Sequence, residues 1–266
     1  MRYGICTSPR NLSEVEAAGF DYAEFSLNGI TAMPEADFEA LAARIGVSRI
    51  KPETTNCFFP GEMRLVGPEA DTAAIEAYIA FALARAARLG VRIAVIGSGG
   101  SRRVPDGVSL EEGTEQFRDV LRRIGEAAAP LGILAAIEPL NAAETNLVLS
   151  VREGIALTRA VDHPHVKLLA DFYHMRRGDD AFESLTGAQG MLRHVHIANS
   201  TGRAYPSCEG EDAYQAFFDM LVRMGYDERV SIEASTDCLA EDGPRALALL
   251  RRLESSAREG RQAGKD

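Results

Sequence analysis

The sequence predicts an α/β chain folded as one closed (β/α)8 barrel, the TIM-barrel architecture, and three observations predict it. Short apolar runs alternate with longer amphipathic segments eight times, which fits a barrel of about 250 residues. Most of the runs are apolar almost throughout, without strict alternation, as strands covered on both faces must be. No Pro/Gly/Ser-rich linker divides the chain, so one domain is expected. A doubly wound open sheet is the alternative with the same rhythm.

Taken in order, the eight candidate strands are "RYGICT", "DYAEFSL", "SRIKPETT", "RIAVIGSG", "GILAAIEPL", "VKLLADFYH", "RHVHIANS" and "RVSIEAS". The segments between them carry helical spacing. Ile75, Tyr78, Ile79 and Ala82 mark one apolar face, and Phe117, Val120, Leu121 and Ile124 another. Asn11 followed by Glu14 reads as a capping signal for the first helix, and Gly90 and Gly132 stand where two later helices should stop. The barrel is expected to occupy residues 1–254. Residues 255–266, "SSAREGRQAGKD", have no apolar stripe and read as a frayed polar tail.

The 266 residues are 46% hydrophobic and 26% charged, the balance of a soluble globular protein with a sizeable core. With 39 acidic against 29 basic residues the net charge is −10, a field that repels a phosphate backbone. Nucleic-acid and membrane partners are therefore not expected, and no apolar stretch reaches the length of a span. Cys6, Cys57, Cys208 and Cys238 are scattered and form no CxxC pair. Reduced thiols and a cytoplasmic location follow from that usage, together with an N-terminus that lacks an apolar signal-peptide core.

In such a barrel, reactive groups come from the C-terminal ends of strands. Four consecutive strands end in out-of-pattern polar residues: Glu138 on the fifth, Asp171 on the sixth, His194 and His196 on the seventh, and Glu233 on the eighth. One such carboxylate is ordinarily a helix cap or an ion-pair partner. Three converging on one rim repel each other, and a divalent cation relieves the repulsion while using them as ligands. The oxygen-rich set suits Mn²⁺, Mg²⁺ or Co²⁺, with Zn²⁺ an alternative. His194 and His196, two apart, share one side of their strand.

Other signals are weaker. "VIGSGGSRRVPDG" carries Gly97 and Gly99 but Arg102 where GxGxxG needs its third glycine, and no GK[ST] follows. It reads as a flexible loop over the site, with Arg102 or Arg103 as a substrate contact. Ser98 and Ser101 lie outside any G-x-S-x-G. His163 and His165 read as turn residues, and His174 and Glu144 have surface readings of their own. Substrate specificity is expected in the loops after the first four strands, around Cys6, Glu24, Asn56, Phe58 and Arg102.

The I-E-P-L-N segment at Glu138, D-x-x-H-M at Asp171 and His174, H-x-H-I-A followed by Gly202 and Arg203, and I-E-A at Glu233 together resemble the sugar isomerase and epimerase branch of the xylose isomerase-like superfamily. The resemblance implies one divalent metal held by Glu138, Asp171, His196 and Glu233. It also implies substrate contacts from Glu144, His174 and Arg203, and a homodimer or homotetramer. Thr201 stands where the related turn carries proline. The endonuclease IV-like branch of the superfamily builds a three-zinc nuclease site with extra histidines on strands three and four. All five histidines here lie between residues 163 and 196, which argues against that branch.

The function implied is a metal-dependent isomerase or epimerase of a sugar or hydroxy-keto acid, moving a proton through a metal-bound enediolate with Glu138 and Glu233 as acid and base. A dehydratase of inosose or 3-dehydroshikimate type is the alternative, and a non-catalytic sugar-binding barrel a third reading.

Overall fold

Each of the eight apolar runs becomes a strand: β1 (Arg2–Cys6), β2 (Tyr22–Ser26), β3 (Pro52–Asn56), β4 (Ile93–Ile96), β5 (Leu134–Ile137), β6 (Val166–Asp171), β7 (Leu192–Ile197) and β8 (Arg229–Ile232). The computed structural model describes residues 1–263, in which these strands close in sequence order into a parallel barrel, β1 pairing with both β2 and β8. Helices Glu35–Val47, Thr72–Arg88, Leu110–Ala128, Val151–Val161, Tyr214–Arg223 and Leu239–Ala263 cover the outside. This double cover explains why the strands read as near-continuous apolar runs.

Local signals act as the chemistry of caps requires. Asp71, Ser109 and Ser150 accept hydrogen bonds from the backbone N–H groups of Ala74, Glu112 and Glu153 at 3.0, 3.1 and 3.2 Å, fixing three helix starts. Gly90 and Gly132 take φ of 84° and 67° just past helical segments, the left-handed conformation that ends them.

Two expectations are corrected. Asn11 does not cap its helix through its side chain, which instead donates to Thr7 Oγ1 at 3.0 Å. The reason is a preceding helical turn at Pro9–Asn11, which leaves Asn11 without the extended backbone a cap needs. The tail is not frayed through residue 263, because the last helix runs to Ala263. Arg258 reaches Glu254 at 2.7 Å and Asp227 at 2.5 Å, Ala257 is buried, and Arg261 donates to the Val222 carbonyl. These contacts dock a stretch without an apolar stripe. Residues 264–266 lie outside the described residues.

The barrel interior is divided. Ile93, Val95, Ala136 and Leu169 form a small apolar cluster of their own on β4 to β6. The other half holds the buried polar groups Tyr22, Glu24, Thr54, His194, His196 and Ser231, from β2, β3, β7 and β8.

Candidate active site

The carboxylates flagged by the sequence meet where β5, β6 and β8 end. One potential ligand atom from each of Glu138, Asp171, His174 and Glu233 lies within 4.8 Å of the others. His196 enters the same space from β7, its Nδ1 3.2 Å from Glu138 Oε1 and 3.7 Å from Glu233 Oε2. The four residues expected to hold the metal, Glu138, Asp171, His196 and Glu233, thus lie together with His174, expected to contact substrate, whereas His194 turns to Glu24.

Asp171 has two tasks. Its Oδ1 accepts from the N–H groups of Tyr173 and His174 at 2.6 and 3.4 Å and so caps the helix Phe172–Arg177. Its Oδ2 is left toward the pocket, 3.7 Å from His174 Nε2. His174 is held by Asn141, whose backbone N–H donates to Nδ1 at 3.1 Å. An accepting Nδ1 puts the proton of the neutral ring on Nε2, and that atom is buried with no hydrogen-bond partner among the described residues. An orphaned buried donor aimed at a cluster of carboxylates marks a place for a ligand.

Glu233 is gripped at both oxygens. Asn56 donates to Oε1 at 2.7 Å and Arg203 to Oε2 at 2.5 Å. Arg203 also donates to Glu144 at 3.1 Å and lies over the Tyr173 ring. Its loop forms without the related proline: the Asn199 side chain accepts the N–H groups of Thr201 and Gly202 at 2.9 and 3.2 Å. Threonine supplies an N–H there that proline lacks.

The electrostatics follow from crowding. Burial, then the charge of Glu233, pushes the Glu138 carboxyl above its usual range, and the same two causes raise Asp171 to about 6. Burial also acts on Glu233, but His196 and Arg203 outweigh it and hold that carboxyl low. Burial depresses His174, whereas in His196 the nearby Glu24 and Glu233 overcome burial and favour the charged ring. Two buried carboxyls that resist ionisation, Glu138 and Asp171, beside a third held ionised, Glu233, are a donor set that a divalent cation fits.

Several expectations about the first four loops change. The glycine-rich segment after β4 is a packed plug. Its Ser98 hydroxyl accepts from the Phe59 N–H and Ser101 donates to the Pro60 carbonyl. Arg102 is fully buried, donating to the carbonyls of Ile96 and Glu138 at 3.2 and 2.8 Å, so it props the strand end and does not reach for substrate. Burial lowers that guanidinium to about 10. A Cβ at Gly97 would lie 2.1 Å from Glu138 Oε2, which is why glycine follows β4. Phe58 is core, and Glu24 lies inside the barrel, bonded to His194 and His196. His163 packs its ring against Gly125, as a structural residue should.

A family model described as xylose isomerase-like TIM barrel matches residues 12–256. The chain belongs to that family. Among curated relatives, a ketose 3-epimerase of Arthrobacter globiformis is 32% identical over 143 residues, covering 53% of this chain and 49% of that protein. An L-ribulose 3-epimerase of Mesorhizobium japonicum is 26% identical over 92% of this chain and 81% of its own length. For the first curated relatives, the chain spans about half of their length. A solved D-psicose 3-epimerase, crystallised in the presence of D-fructose, superposes with a TM-score of 0.84 over 96% of this chain and 99% of its own, at 21% identity, a likeness of fold.

Proposed function

We propose that this member of the xylose isomerase-like family is a metal-dependent isomerase or epimerase of a small sugar or hydroxy-keto acid. Glu138, Asp171, His196 and Glu233 would hold one divalent ion, with Mn²⁺, Mg²⁺ or Co²⁺ suited to a donor set of three carboxylates and one imidazole. The observation that carries the reading is the convergence of Glu138, Asp171 and Glu233, one ligand atom from each within 4.8 Å of the others, beside His174 Nε2, which has no hydrogen-bond partner among the described residues. Bound there, a divalent ion would draw a carbonyl and its neighbouring hydroxyl together and lower the cost of charge developing when a C–H proton leaves.

The protein's own groups do the rest. Glu138 and Glu233 stand at the ends of β5 and β8 with His196 between them, and they exchange the proton as general base and acid from two sides of the substrate. Their environments already differ, Glu233 held ionised and Glu138 pushed toward its protonated form, which is the separation acid–base pairs need. His174 donates Nε2–H to a substrate oxygen. Arg203, fixed by Glu144 and by stacking on Tyr173, holds another.

Return of the proton to the opposite face of the same carbon is epimerisation, and return to the next carbon is isomerisation. Replacing Glu233 by Gln should stop exchange of the substrate proton with solvent, and exchange at the wild-type rate in that variant would sink the assignment. Products separate the alternative: a dehydratase yields a conjugated carbonyl with loss of water, whereas isomerisation conserves mass. No described helix is long and apolar enough to cross a membrane, and the four free thiols fit a reducing, cytoplasmic compartment.

A further inference from the structure

Glu24 sits in β2, outside the strands that carry the three clustered carboxylates, and it is completely buried. A carboxylate in that position needs donors, and it has four. Its Oε1 accepts from His196 Nε2 at 3.0 Å. Its Oε2 accepts from His194 Nε2 at 2.7 Å, Thr54 Oγ1 at 2.7 Å and Ser231 Oγ at 2.6 Å. Ser231, having given its proton to Glu24, has its oxygen free to accept from the Tyr22 hydroxyl at 2.9 Å. Four protons of this network point at Glu24, and that of Tyr22 points at Ser231. A register shift between Ala23 and Glu24 in the β2–β3 pairing re-aims the strand at this point.

The direction of those bonds has a consequence for His196. Its Nε2 must be the protonated nitrogen, because a carboxylate only accepts, and so its Nδ1 carries the free lone pair in the neutral ring. Nδ1 is the atom that faces Glu138 and Glu233. We propose that Glu24 is a positioning residue for metal binding: it fixes the tautomer and the tilt of His196 and thereby aims Nδ1 at the space between the clustered carboxylates. The inference rests on the metal reading given above and assigns a residue to it that touches neither metal nor substrate. A purely structural role for Glu24, neutralising barrel donors, would stabilise the fold without tuning what Nδ1 does.

Glu24→Gln keeps the volume, but its amide NH2 meets donors and its single oxygen cannot serve both histidines. The experiment is calorimetric titration of the metal-stripped protein with Mn²⁺, for wild type, Glu24→Gln, His196→Gln and the double variant, with circular dichroism to confirm folding. Loss of a carboxylate that orients a ligating imidazole typically weakens binding about 10- to 100-fold. We expect a loss of that size in Glu24→Gln and little further loss when the change is added to His196→Gln. Affinity within about twofold of wild type, or the same factor lost in both backgrounds, overturns the proposal. Should Glu24→Gln fail to fold, ring nitrogen-15 spectra of wild-type protein loaded with Cd²⁺ decide: a proton on Nε2 of His196 supports the role, and one on Nδ1 overturns it. Absence of Mn²⁺ binding in the wild type overturns the metal reading itself, and this inference with it, whereas binding that Glu24→Gln leaves unchanged overturns the Glu24 role alone.

Discussion

Replacing Asp171 by Asn should make the metal-stripped protein more stable at neutral pH while destroying its response to metal. The buried Asp171 carboxyl is raised from 3.8 to about 6 by burial and by the charge of Glu233. Its folded form therefore keeps a proton that the unfolded chain has already lost between those two pH values, so stability falls as pH rises through that window. A shift of about two units at ~1.36 kcal/mol each makes the penalty roughly 3 kcal/mol above pH 7, vanishing below about pH 4. Asparagine keeps an oxygen to cap the following helix through the Tyr173 and His174 N–H groups but carries no charge. Urea unfolding in EDTA at a series of pH values should show the variant ahead of wild type by up to that amount at pH 8, with the gap closing in acid. Added Mn²⁺ at about 100 times its dissociation constant should then give wild type ~2.7 kcal/mol and the variant little. A variant less stable than wild type in EDTA at pH 8, or a difference independent of pH, would refute the reasoning.

Further outcomes follow from single contacts. Gly97→Ala should displace Glu138, since the new Cβ would lie 2.1 Å from its Oε2. Because the moving atom ends a side chain, melting should change little, while metal affinity and turnover fall on the order of 100-fold. Arg102→Met removes the side-chain donor to the buried Glu138 carbonyl, while the Ile96 carbonyl keeps the Glu138 N–H at 3.2 Å, and should cost about 1–3 kcal/mol in urea unfolding. His174→Gln should keep Mn²⁺ affinity within a few-fold while slowing proton exchange, and an affinity loss equal to that of His196→Gln would make His174 a ligand instead.

The barrel was legible because its strands are buried on both faces, and a run such as "IAVI" can be little else between two amphipathic segments. Glu138, Asp171, His196 and Glu233 were legible as polar residues ending four neighbouring strands. Glu24 was not, because it lies within "YAEFS" and its partners, Thr54, His194, His196 and Ser231, are 30 to 207 residues away in sequence. Arg102 misled for the opposite reason: a charged residue in a glycine-rich loop looks solvated until the carbonyls that bury it are seen. The terminal helix shows the same limit, since ion pairs and caps made with distant elements leave no periodic trace.

The central claim is that these strand ends move a proton next to a carbonyl only when a divalent ion is held there. Nuclear magnetic resonance of a ketose and hydroxy-keto acid panel in heavy water, with EDTA-stripped and with Mn²⁺-reloaded protein, tests it most directly. Deuterium should enter at the carbon beside the carbonyl of at least one substrate with the reloaded protein alone. Equal incorporation by the stripped protein, or none across the panel with Mn²⁺ demonstrably bound, would contradict it.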